Sequence, residues 1–83
     1  MHTILPYQFN CLDICEQIAT TEKHGVCLDV ARYEGSHKIG LFDLWGYYVE
    51  VWVDSRSEKV VKLYAFQNMA RLDRFLIPIP LVF

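Results

Sequence analysis

The segment YYVEVWVD, residues 47–54, constrains the fold more than any other part of the chain. Seven of the nine residues from Trp45 to Val53 are hydrophobic, and valine recurs at Val49, Val51 and Val53. A side-chain period of two predicts a strand with one buried face. A second strand run, VVKLYAFQ, follows the turn-like DSRSEK. Antiparallel pairing of Val53 with Val61, Val51 with Leu63 and Val49 with Ala65 gathers the small apolar residues on one face. The opposite face then pairs Trp52 with Lys62, Glu50 with Tyr64 and Tyr48 with Phe66. A slip of one residue would set Lys62 opposite Val51 on the buried side, which is costly. The preferred register implies a three-residue loop, Arg56 to Glu58.

Other elements fall around this pair. A helix is expected from Asn10 as N-cap, with Asp13 near the positive end of the helix dipole and Phe9 and Ile14 as a hydrophobic staple. Cys11, Ile14, Cys15 and Ile18 form its apolar stripe, flanked by Leu12 and Ala19, with Asp13, Glu16 and Gln17 opposite. Gly25 reads as its stop, behind Lys23 and His24 in the last turn. Val26, Leu28 and Val30 alternate in a strand, and EGSH at 34–37 reads as a turn. Residues 38–53 form one long strand or two. Phe42 and Leu44 are out of phase with Val49 and Val51, and a bulge at Trp45-Gly46 would restore the phase. A short helix follows Asn68, with Met69, Leu72, Phe75 and Leu76 inward and Arg71, Asp73 and Arg74 outward, ending before Pro78. IPIPLVF closes the chain in extended form.

The expected architecture is therefore a single α+β domain, residues 1–83. A three- to four-stranded antiparallel meander is flanked by an N-terminal and a short C-terminal helix, in the order α-β-β-β-α. The helices should cover Val26, Leu28, Val30, Val49, Val51, Val53, Val61 and Leu63.

Composition narrows the function classes. Hydrophobic residues make up 53% and charged residues 22% of the chain, which argues against disorder. The net charge is −2 and the eight Lys and Arg are scattered, so a nucleic-acid surface is not expected. The longest apolar run, FLIPIPLVF, has nine residues, against the roughly 20 of a membrane span. MHTILPYQFN lacks the layout of a signal peptide. With an odd cysteine number, three, these features predict a soluble cytoplasmic protein without a disulfide framework.

Candidate chemistry is sparse. Cys11 and Cys15, four apart, could join His24 or Cys27 around a metal, but C-x3-C is no zinc signature. They read instead as small buried hydrophobes. Cys11 as a thiol nucleophile would need His2, His24 or His37 as base, and none has a recognisable context. Asp29, Asp43, Glu50 and Asp54 read as solvated charges or cross-strand pairs, Glu50 with Lys62 in reach. Gly35, Gly40 and Gly46 make no phosphate loop. No cofactor, metal or catalytic residue is expected.

The aromatic face is what remains: Tyr48, Trp52, Tyr64 and Phe66, with Lys62 over Trp52 as a cation–π partner. Four clustered rings on two strands call for a cover. It could come from the N-terminal arm or C-terminal tail, from another chain, or from a ligand. The expected function is a small protein–protein interaction or assembly module without catalysis, a homodimer or a partner of another protein, using these five residues. A small-ligand domain with an aromatic pocket is the alternative, and a small thiol enzyme the second.

Overall fold

A computed structural model describes residues 4–72. It has helices α1 (Pro6–Cys11) and α2 (Ile14–His24), strands β1 (Val26–Glu34), β2 (His37–Leu44), β3 (Tyr47–Asp54) and β4 (Val60–Phe66), and a short helix α3 (Met69–Leu72). The strands form one antiparallel meander in the order β1-β2-β3-β4. The α+β class and the meander agree with the sequence reading. The expected helix end beyond Leu72, Pro78 and the IPIPLVF segment lie outside the described residues.

The expected single N-terminal helix is two. Pro6 opens α1 at a position where its missing N–H costs nothing. The chain becomes extended at Leu12 and Asp13, and Asp13 is the true N-cap of α2, accepting from the Glu16 N–H at 2.9 Å. Asn10 is therefore not a cap. Its side chain lies against β4, donating to the Ala65 carbonyl at 3.0 Å and accepting from the Ala65 N–H at 2.7 Å. An amide so placed imitates a neighbouring strand residue and blunts one edge of the sheet.

The break also rotates the buried stripe. Gln17 and Thr21 are buried, Ile18 is half-buried, Ile14 is exposed, and so are Cys11 and Cys15. The cysteines are thus not core residues, and Phe9 and Ile14 do not form a staple. Gln17 is buried because its amide Nε2 donates to the Phe9 carbonyl at 3.0 Å, satisfying the end of α1. Lys23 and His24 do occupy the last turn of α2, ahead of Gly25.

Trp45-Gly46 is a hairpin turn, not a bulge. Both residues have positive φ, 52° and 91°, which suits the right-handed twist of the flanking strands. A bulky residue rarely adopts this conformation. Here the Trp45 ring packs on the core and lies 4.9 Å from His24, while Asp43 accepts from the Gly46 N–H at 3.1 Å.

The β3–β4 register matches expectation at Tyr48–Phe66, Val49–Ala65, Glu50–Tyr64, Val51–Leu63 and Trp52–Lys62. It departs at Val53, which pairs with Val60 because β4 carries an irregularity there. Val60 then packs on the core and Val61 is exposed. A bulge in β1 between Cys27 and Ala31, with Asp29 at φ 56°, moves Leu28 and Val30 to the aromatic side. Val26 is exposed. The helix-side core consists of Phe9, Leu44, Tyr47, Val49, Leu63 and Ala65. The Tyr47 hydroxyl donates to the Ile4 carbonyl at 2.9 Å, and burial raises its pKa above the ordinary 10.0.

Candidate functional site

The face of the sheet opposite α1 and α2 is organised around Glu50, in the middle of β3. Its carboxylate is completely buried. The strand period sets it between Tyr48 and Trp52 on this face. An isolated buried carboxylate would be very costly; this one has several donors. Trp52 Nε1 donates to Oε1 at 3.0 Å. Arg71 reaches in from α3 with two bonds, Nε to Oε2 at 2.9 Å and Nη2 to Oε1 at 3.0 Å. Arg32 Nη2 from β1 stands 3.8 Å from Oε2, while its Nη1 pairs with Glu34. The planar fork of arginine suits such two-point contact. The Glu50 hydrogen bond raises the Arg71 pKa above its usual value, outweighing the opposing effect of burial.

The rings surround this hub. Arg71 lies 4.4 Å from the centroid of Tyr64, and Lys62 Nζ lies 4.5 Å from that of Trp52. Both fall within cation–π range. Tyr64 and Phe66 are stacked at 6.4 Å with 12° between planes, and Tyr48 lies 5.7 Å from Phe66. Leu28, Val30 and Leu41 pack beneath them. The structure thus brings together all five sequence-picked residues, Tyr48, Trp52, Lys62, Tyr64 and Phe66. Phe66 is 5% exposed, and Tyr48, Trp52 and Tyr64 are half-buried.

Two assignments change and one residue is added. Glu50 pairs with Arg71 and Trp52 rather than with Lys62. Arg71, expected to face outward, turns inward, because α3 follows β4 directly and Asn68 starts it over this face, accepting from the Ala70 N–H at 2.8 Å. Arg32 was not singled out by the sequence at all. The signal for it was register: Arg32 is opposite Ile39, and Ile39 is opposite Trp52.

The arrangement positions aromatic and guanidinium groups; both Glu50 oxygens are occupied by donors within the chain. Among the described residues, no group of three or more His, Cys, Asp or Glu side chains could hold a metal ion. Among them too, no helix is long and apolar enough to cross a membrane. Two concavities lie on the helix-bearing face, and neither is lined by Tyr48, Trp52 or Tyr64.

Fold and site together define a class: a small α+β domain whose sheet displays a fixed cluster of Trp, Tyr and Arg side chains. Comparison of the chain with protein-family models, with curated proteins and with solved structures returns no match.

Proposed function

We propose that this domain is a protein-interaction module that works by contact rather than by catalysis, self-associating through its aromatic sheet face. The observation that carries the reading is the Glu50 hub. Binding hot spots are enriched in Trp, Tyr and Arg. Ordering such side chains on association costs about 0.5–1.5 kcal/mol each. Here Trp52 and Arg71 are already held by Glu50, and Arg71 in turn sits on Tyr64. The platform is ordered before any partner arrives.

Magnitude sets the expected strength. Half-buried Tyr48, Trp52 and Tyr64 leave roughly 150 Å² of apolar surface per copy. At about 25 cal/mol per Å², that is ~4 kcal/mol per copy and ~8 kcal/mol for a pair. Association costs about 4–15 kcal/mol. At the low end of that cost about 4 kcal/mol remains, so the expected dimer is weak, with a dissociation constant of about 1 mM. A two-fold contact is favoured because it uses the same patch twice. Three exposed free thiols, Cys11, Cys15 and Cys27, suit a reducing compartment and support the cytoplasmic part of this reading. Sedimentation velocity over a concentration series, on the wild type and on Trp52→Glu, tests the reading. A concentration-dependent dimer lost in a folded variant supports it.

A further inference from the structure

The second candidate surface lies on the other side of the sheet. α1 packs on β4, and α2 packs on β4 and β2. The helix layer therefore leaves a strip over β1, β2 and the far end of β3. A concavity of about 530 Å³ occupies it, lined by Tyr33, Lys38, Gly40, Phe42, Val51 and Val53. A second of about 240 Å³ continues it beneath α2, sharing Phe42 and Val51 and adding Ile18 and Leu63. From β1 to β3 is two strand spacings, roughly 10 Å. That is about the diameter of one helix.

Gly40 marks the floor. It sits inside β2, paired with Ala31 and Val51. Its φ is not in the left-handed region, and an added Cβ would meet nothing within 4 Å. Neither backbone conformation nor internal crowding requires glycine. A glycine in a strand interior weakens the strand and often marks close approach of another backbone. The rim adds a second constraint. Glu22, Asp54 and Glu58 border the groove against Lys38 alone. Asp54 is fixed by accepting from the Arg56 N–H at 3.0 Å and the Ser57 hydroxyl at 3.2 Å.

We propose that this groove seats an amphipathic helix of another protein, lying beside α2, with a small-residue stripe over Gly40 and basic residues facing the acidic rim. Width, the unexplained glycine and the excess of carboxylates all favour this occupant over a second copy of an acidic chain. The mode is that of a helix laid into an apolar groove, and it is independent of the aromatic face.

The test is an NMR titration of the isotope-labelled protein with a synthetic helix of about 15 residues, long enough to span the groove. The probe carries an Ala/Leu stripe and Lys flanks. Amide shifts should move at Gly40, Phe42, Val51 and Val53. Gly40→Leu fills the floor and should weaken binding at least about tenfold with an unchanged circular dichroism spectrum. Tyr33→Ala trims an exposed wall, leaves the fold intact, and should weaken binding about threefold. A probe with Glu flanks should bind at least about tenfold more weakly. The proposal is overturned by no perturbation up to about 1 mM peptide, by shifts centred on Tyr48 and Tyr64, or by undiminished binding in Tyr33→Ala together with a folded Gly40→Leu.

Discussion

Truncating Arg71 to Ala removes the principal partner of a fully buried carboxylate. Breaking a buried ion pair by deleting one side costs about 3–5 kcal/mol, chiefly because the other charge is left uncompensated. Three details lower that figure here. The Arg71 side chain is itself 26% exposed, Trp52 still donates to Oε1, and Arg32 stands 3.8 Å from Oε2. A loss of roughly 2–3 kcal/mol is therefore expected. For a domain of this size, that lowers the melting temperature by roughly 10–20 °C. Urea unfolding followed by tryptophan fluorescence measures it. Glu50→Gln keeps an acceptor for Trp52 and should cost about 1 kcal/mol. The double variant should be less destabilised than the sum, by a coupling of about 1–2 kcal/mol. A loss below about 0.5 kcal/mol in Arg71→Ala, or simple additivity, would refute the hub.

Other consequences follow from the same geometry. Asn10→Ala removes both bonds to Ala65 and re-exposes the β4 edge; thermal unfolding should show a loss of about 1–2 kcal/mol, with faster aggregation near the transition. Cys11, Cys15 and Cys27 are exposed, so a thiol reagent should label them in the folded protein as fast as in denaturant, counted by mass spectrometry. Tyr47 should ionise above the ordinary 10.0 in an absorbance titration, because burial raises its pKa. Its folded pKa exceeds its unfolded one, so its contribution to stability is complete below about pH 10 and is lost as the pH rises through the folded value.

Legibility followed the source of each constraint. The β3–β4 register is legible because a one-residue slip would set Lys62 opposite Val51 on the buried side, and that penalty lies in local sequence. Five cross-strand pairs are as expected, and the departure at Val53 comes from a bulge that nothing in VVKLYAF signals. The hairpin at Trp45-Gly46 reads as a bulge from sequence because Phe42 and Leu44 are out of phase with Val49 and Val51, and a turn changes the phase just as a bulge would; packing against His24 and the core offsets the Trp45 conformation. Asn10 looked like a cap, since asparagine before an amphipathic run is a good cap signal. Its actual partner is 55 residues away, where local pattern has no reach. The inversion of Gln17 against Cys11 and Cys15 follows from the break at Leu12 and Asp13, which restarts the helical phase. On the candidate site, the rings were visible as alternation. Arg71 was not, because an arginine in a short helix reads as solvent-facing until the carboxylate beneath it is known.

The aromatic face as a self-association surface is tested most directly by sedimentation velocity of the full chain from about 1 µM to about 1 mM. A monomer–dimer equilibrium is expected to emerge towards the top of that range, and to be abolished in Trp52→Glu while circular dichroism shows the variant still folded. A wild-type chain that stays monomeric to the top of the range, or a dimer that Trp52→Glu leaves intact, would contradict it.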